Sequence, residues 1–241
     1  MANVHYEGRY LEWKGWTADT FGAITALDRR YYGAEVRRTG LANGAPLRVL
    51  ELGFGEGRFL AYARERGWKA TGTEVNAELV EVAQRKGFDA VHADRLSSFA
   101  DGSFDLVAAF DVLEHLEAGA LLEFLQELRR VLRPGGVLLA RFPNGDSPFG
   151  LANQNGDFTH RSFIGSGKVE YLAGHLHATI VFLGGQAQPI LAGGLVKTVY
   201  RLVAVPLRGL INFLVRLLIT PESQVPFCST NMVVALRFDA R

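Results

Sequence analysis

From residue 47 onward the chain repeats one unit: a short β-rich run, a turn and a helical pattern. Such alternation predicts a parallel sheet wrapped by helices, because parallel neighbours need a crossover and a helix is its usual form. "LRVLEL" reads as the first strand and "GRFLAYARERG" as a helix closed by Gly67. "KATGTEV" is the second strand, and "NAELVEVAQRKG" follows as a helix with Asn76 placed to cap its start and Gly87 its end. "FDAVHAD" is a weaker third strand, whereas "FDLVAAFDVL" is apolar almost throughout, as suits a central strand buried on both faces. "AGALLEFLQELRRVLRPGG" predicts a helix stopped by Pro134 and two glycines, leading into the fifth strand "VLLARFPN". "ATIVFLG" and "NMVVALRFD" complete an α/β, doubly wound, mostly parallel sheet of seven strands.

At 241 residues, 48% of them apolar, the chain is long enough for one sizeable core and short for two. The expected organisation is one domain over 46–241, with a helical insertion at about 189–220 before the last strand and an appendage over 1–45. That appendage carries Tyr6, Tyr10, Trp13, Trp16, Phe21, Tyr31 and Tyr32. It is expected to cap the open end of the sheet, a position from which it also serves as a lid over bound ligand. A formal net charge of +1 supplies no global basic field for nucleic acid, so none is expected as a partner. The lone Cys228 excludes a disulfide framework and a CxxC metal cluster, which suits a reducing cytoplasm. The first residues lack the apolar core of a secretory signal, and no run of about 18 uncharged apolar residues predicts a bilayer span.

The turn after the first strand, "VLELGFGEG", places Gly53, Gly55 and Gly57 behind Glu51. Glycine belongs where backbone takes positive φ or meets a ligand closely, and a strand end feeding a helix is such a place. The dinucleotide fingerprint GxGxxG fits poorly, because Arg58 stands at its third glycine and Glu51 would repel a pyrophosphate. The carboxylate suits a ligand bearing a cation. "ELGFGEG" resembles the first motif of the class I S-adenosylmethionine-dependent methyltransferases, an acid followed by GxGxG. "FDLVAAFDVLEHL" and "LRRVLRPGGVLLARFPN" resemble the later motifs, so the similarity runs in order over residues 47 to 144. It implies a Rossmann-like fold and S-adenosylmethionine as cofactor, which has a sulfonium and an α-ammonium and no phosphate. Carried over position by position, it implies Glu51, Gly53, Gly55 and Gly57 in the cofactor turn and Glu74, with Val75 beside it, at the ribose. It further implies Asp94, flanked by Arg95, near the adenine, and Phe110 and Asp111 lining the site. Taken singly, Glu74 also reads as a turn residue and Asp94 as a helix cap.

The acceptor is less constrained. "DVLEH" resembles the branch that methylates small molecules, quinone precursors and sugars, often at oxygen, and "GDFTHRSF" is similar to a segment of methyltransferases from cell-surface polysaccharide clusters. A hydroxyl acceptor must lose a proton, and an unperturbed imidazole titrates near 6.5, so His160 is a candidate base and His115 a second. Asp157 and Asn144 are candidates to orient acceptor hydroxyls. Spacing does not establish a convergent set of metal ligands, so no metal is assigned. The alternatives left open are transfer to nitrogen or carbon, a catalytically silent cofactor-binding scaffold and, least favoured, an NAD-dependent oxidoreductase.

"GGLVKTVYRLVAVPLRGLINFLVRLLIT" fills the insertion. On a helix at ~100° per residue, Lys197, Arg201, Arg208 and Arg216 fall within about 100° of one another and leave an apolar arc of roughly 260°. Either the helix packs on its own domain and on a symmetry-related subunit, as in a homodimer, or it lies in a lipid headgroup layer with its basic stripe facing anionic phosphates. The second arrangement suits a lipid-linked acceptor and a peripheral position on the inner face of the membrane.

Overall fold

The computed structural model describes residues 14–41, 46–190, 194–221 and 225–239. Tyr6, Tyr10 and Trp13 of the aromatic arm, residues 42–45 of the link into the first strand and residues 191–193 of the insertion lie outside the described residues. Helix α1 (Ala26–Arg37) starts at a capping box, in which the Thr25 hydroxyl accepts from the Asp28 amide and the Asp28 carboxylate accepts from the Thr25 amide. The predicted alternation follows as β1 (Arg48–Leu52), α2 (Arg58–Glu65), β2 (Lys69–Glu74), α3 (Ala77–Arg85) and β3 (Asp89–His92). Asn76 does cap α3: its Oδ1 accepts from the amides of Glu78 at 2.9 Å and Leu79 at 3.3 Å. The described chain continues through β4 (Phe104–Phe110), α4 (Ala118–Val131), β5 (Leu132–Pro143), α5 (Leu151–Asn155), α6 (Ser166–His175), β6 (Ala178–Gly185), α7 (Leu195–Leu218) and β7 (Asn231–Phe238).

The seven strands form one sheet of order β3-β2-β1-β4-β5-β7-β6. β1 to β5 pair in parallel, and β7 runs antiparallel between β5 and β6. This is the expected doubly wound, Rossmann-like arrangement. The chain winds outward from β1 to β3 and restarts at β4 on the other side of β1, so the loops after β1 and β4 diverge and open a crevice at the strand ends.

Side chains alternate between the sheet faces with period two, so a strand buried on both faces must be apolar at successive positions. Val49, Leu106, Val137 and Leu139 enter one core with Phe59 and Tyr62 of α2. Leu50, Val107, Leu138 and Ala140 enter the opposite core with Leu121, Leu125 and Leu128 of α4. Glu51 breaks the pattern as a buried acid in β1, with Gly72 of β2 and Ala108 of β4 as register neighbours.

Helix α7 carries Pro206 inside it, and none of its residues is buried. Its basic stripe divides: Lys197 and Arg216 are exposed, whereas Arg201 and Arg208 turn toward the body. Arg201 donates to the Pro189 carbonyl at 2.8 Å, Arg208 donates to the Gln188 side chain at 2.9 Å, and Asn212 accepts from the Cys228 amide at 2.8 Å. Guanidinium donors find acceptors on the connection after β6, and this turns the apolar side away from the body, leaving Val196 83% and Leu218 75% exposed. Among the described residues, no helix is long and apolar enough to cross a membrane.

Candidate active site

A cavity of about 830 Å³ opens at the C-terminal ends of β1, β2, β4 and β5, within the size range of small-molecule sites. Lys14, Trp16 and Tyr32 of the N-terminal region also line it. In the turn after β1, Gly53, Gly55 and Gly57 take φ of +58°, +51° and +69°. A β-carbon on Gly57 would lie 2.4 Å from the Phe21 ring, and one on Gly55 would lie 2.7 Å from the Trp16 ring. Trp16 and Phe21 of the N-terminal region thus seat on bare backbone. Gly57→Val adds left-handed strain of about 1–2 kcal/mol to overpacking of about 1–3 kcal/mol. It should therefore cost about 3 kcal/mol in urea unfolding. Gly67→Ala, at φ +70° with no other atom within 4 Å of the new β-carbon, should cost only about 1 kcal/mol.

Two acids meet at this turn. Glu51 is buried and accepts a backbone hydrogen bond from Leu60 in the first turn of α2, yet its Oε2 has no partner among the described residues. Burial holds its pKa well above the ordinary range. Glu74, at the end of β2, accepts at Oε2 from the Gly55 amide at 3.1 Å and at Oε1 from the amides of Val75 at 2.8 Å and Asn76 at 3.2 Å. Burial raises its pKa, and those amides oppose the shift.

The part of the cavity beyond β4 holds a second polar group. Glu114 and His115 lie in a 3-10 turn (Leu113–His115), and His160 follows α5 in the loop after β5. The His115 and His160 rings meet edge to face with centroids 4.7 Å apart, and His160 Nε2 lies 4.0 Å from a Glu114 carboxylate oxygen. Burial, reinforced by the nearby Asp111 carboxylate, pushes Glu114 up to about 8. Burial, together with neighbouring His160, lowers the pKa of His115. Asp157 behaves in the opposite way. Against the upward pull of burial, hydrogen bonds from the Thr159 hydroxyl and amide and from Lys14 hold it at about 2.

The remaining sequence-derived positions divide. Val75, half-exposed, and Phe110 line the cavity. So does Asp111, at φ +59°, whose carboxylate is held by Nε and Nη2 of Arg141. Arg141 also donates to the Tyr31 hydroxyl at 2.8 Å, tying α1 to the end of β4. Asp94 is 71% exposed and pairs with His92 at 3.0 Å, and the cavity wall there is Ala93 and Leu96. Arg95 lies in the same 3-10 turn, and its side chain is outside what the structure describes. Asn144 is buried away from the cavity lining, donating to the carbonyls of Pro226 and Ser229, so its amide holds the loop to the β7 approach instead of facing an acceptor.

A sulfonium and an ammonium, with no phosphate, are what a glycine turn next to a buried carboxylate with one unpartnered oxygen fits. Residues 50–140 match the family model of the methyltransferase domain. Over that span the chain is similar to the S-adenosylmethionine-dependent methyltransferases. The chain is 35% identical over 94 residues to the malonyl-[acyl-carrier protein] O-methyltransferase of Enterobacter lignolyticus, covering 38% of this chain and 37% of that one. It is 31% identical over 126 residues to the ubiquinone biosynthesis O-methyltransferase of Xanthomonas oryzae pv. oryzae, covering 48% of this chain and 52% of that one. The chain therefore spans about half or less of the length of these curated relatives. Its fold is similar to that of a SAM-dependent methyltransferase from Archaeoglobus fulgidus, with a TM-score of 0.63 and 20% identity over 87% of this chain and 94% of that one. It is likewise similar to the 1,6-didemethyltoxoflavin-N1-methyltransferase of Burkholderia thailandensis, solved with S-adenosylhomocysteine, with a TM-score of 0.57 and 18% identity over 89% and 79% of the two chains.

The sequence reading of single sites passed over Glu114, Thr159, Arg141 and Lys14. A lone arginine in a central strand signalled Arg141. Nothing local marked Lys14, which meets Asp157 from 143 residues away.

Proposed function

We propose that the chain transfers a methyl group from S-adenosylmethionine to a hydroxyl of a small-molecule or glycan acceptor. The observation that carries this reading is one cavity with two chemically distinct parts. An unpartnered buried carboxylate sits by a glycine turn after β1, and two imidazoles sit by another buried carboxylate beyond β4. When bound, the cofactor supplies a methyl carbon activated by its sulfonium. Glu51 pairs with its ammonium, and Glu74 takes a ribose hydroxyl on the lone pair that Oε2 retains. Ala93 and Leu96 flank the adenine, with Asp94 at the margin. The cap over 1–45 acts as a lid on the domain formed by 46–241, a role supported by Lys14 and Trp16 in the cavity lining. In-line transfer depends on alignment and exclusion of water, contributions of about 7–11 kcal/mol. The acceptor hydroxyl is presented to Glu114, His115 and His160, where it loses its proton. The two curated relatives named above are O-methyltransferases, which favours oxygen over nitrogen or carbon. The resemblance of "GDFTHRSF" to polysaccharide-cluster enzymes favours a glycan.

Calorimetric titration tests the cofactor half: S-adenosylhomocysteine should bind and NAD should not, and the reverse would discard the reading. Glu74→Ala should weaken S-adenosylhomocysteine binding at least ~10-fold, about 1.4 kcal/mol. Unchanged affinity would refute the ribose role. A silent scaffold would bind the cofactor without releasing S-adenosylhomocysteine in the presence of any hydroxyl acceptor.

A second reading concerns where the enzyme works. The outward apolar side of α7, from Leu195 to Leu218, suits insertion into a lipid headgroup layer, with exposed Lys197 and Arg216 at its flanks. It supports a lipid-linked acceptor at the inner face of the membrane. Intact protein should float with anionic vesicles and a 190–220 deletion should not. Equal behaviour of the two sinks the membrane contact, and a dimer lost on the same deletion would assign the face to a second subunit.

A further inference from the structure

Glu114 is 1% exposed, and neither carboxylate oxygen has a hydrogen-bond partner among the described residues. An unmade hydrogen bond on a buried polar group costs about 1–3 kcal/mol, more when it is charged. A fold that retains such a group at a cavity wall leaves its ligation to something that enters the cavity. Glu114, His115 and His160 each offer one ligand atom, and those atoms lie within 4.8 Å of one another.

The hydrogen bonds around the two imidazoles decide their tautomers. His160 Nδ1 lies 3.0 Å from the Gln154 carbonyl oxygen, which only accepts, so Nδ1 carries the hydrogen and Nε2 the lone pair. The Thr159 hydroxyl gives its single proton to Asp157 at 2.5 Å, so its 2.9 Å contact with His115 Nδ1 is a bond donated by the ring. His115 Nε2 is therefore also the lone-pair nitrogen. Each imidazole is held from behind by an acceptor, one a backbone carbonyl and the other a hydroxyl anchored on a carboxylate. Ligating histidines are oriented in this way.

We infer that Glu114, His115 and His160 bind a divalent transition-metal ion of the class Mn2+, Fe2+, Co2+ or Zn2+ beyond β4 in the cavity. Two imidazole nitrogens favour these ions over Mg2+ and Ca2+, which take oxygen ligands. Ligand atoms about 2.1 Å from one ion lie roughly 3 Å apart, so closure needs side-chain rotations of about an ångström. Three protein ligands leave coordination positions open to the cavity, as catalytic sites do. This inference rests on the proposed function: an open position receives the acceptor's hydroxyl oxygen, the ion lowers its pKa, and the proton passes to water. The histidines then serve as ligands and not as bases, and the expectation of no metal, read from spacing alone, is replaced.

The test uses the full chain stripped with a chelator and titrated with Co2+, followed by visible d–d absorption and calorimetry. The expected result is one equivalent bound. Glu114→Gln and His160→Ala should bind at least ~10-fold more weakly, and Thr159→Val, which removes the hydroxyl that supports His115 and bonds Asp157, about 10–100-fold more weakly. Exposed His175→Ala should bind as the parent does. No Co2+ binding by protein with native circular dichroism, or equal affinity in the ligand variants, overturns the inference. S-adenosylhomocysteine titration of the same stripped sample separates the two readings. Its binding without Co2+ binding refutes the metal alone, and its failure to bind refutes the methyl-transfer reading.

Discussion

Glu51→Leu should make the cofactor-free protein more stable and S-adenosylhomocysteine binding at least ~30-fold weaker. Both effects follow from one buried carboxylate. Its Oε2 is unpartnered among the described residues, and an apolar side chain of similar volume removes a desolvation cost of about 1–3 kcal/mol. The ligand's α-ammonium loses the Glu51 counter-charge at the same time, and truncating one partner of such a pair costs about 2–5 kcal/mol. The pH dependence of stability carries the sign. Glu51 has a folded pKa raised by burial, so its contribution is fully present below the ordinary carboxylate range and is lost as pH rises through the folded value. The leucine variant should show a shallower decline of thermal midpoint from about pH 5 upward. A variant that loses stability and keeps its affinity would show that Glu51 is a core residue only.

Turnover should fall by about 10²–10⁴ in His160→Ala, while affinity for S-adenosylhomocysteine changes less than about threefold. The separation of effects comes from the sheet. His160 packs against His115 beyond β4, whereas Glu74 ends β2, on the other side of β1 in the sheet. The loss is expected whether the imidazole takes the acceptor's proton or holds an ion that lowers the acceptor's pKa. Full activity would exclude both roles, and a parallel loss of cofactor affinity would mean that the loop after β5 supports the whole cavity.

The positions that were legible in the sequence share a local cause. "VLELGFGEG" combines an apolar run with glycines that only a strand-to-helix turn explains, and the structure gives those glycines positive φ beside a buried Glu51. Asn76 signalled the start of α3 because a cap acts within three residues. Asp94 was placed near the adenine by resemblance, yet its carboxylate turns outward to His92. The direction of one side chain in a 3-10 turn depends on which neighbour offers a partner, and residue order does not record that.

By itself the sequence determined the order of strands and helices, the two-faced burial of the central strands and the glycine turn with its acid. Those are consequences of periodicity and of backbone sterics within a few residues. Only the tertiary structure decided that Glu114 and His115 after β4 meet His160 after β5, that Thr159 and Asp157 fix a tautomer, and that Lys14 meets Asp157. It also decided that Arg201 and Arg208 of α7 turn toward the body and its apolar side toward the surroundings. Such contacts join segments remote in the chain, and their geometry is set by how the helices pack on the sheet, a property of the whole fold that no local pattern encodes.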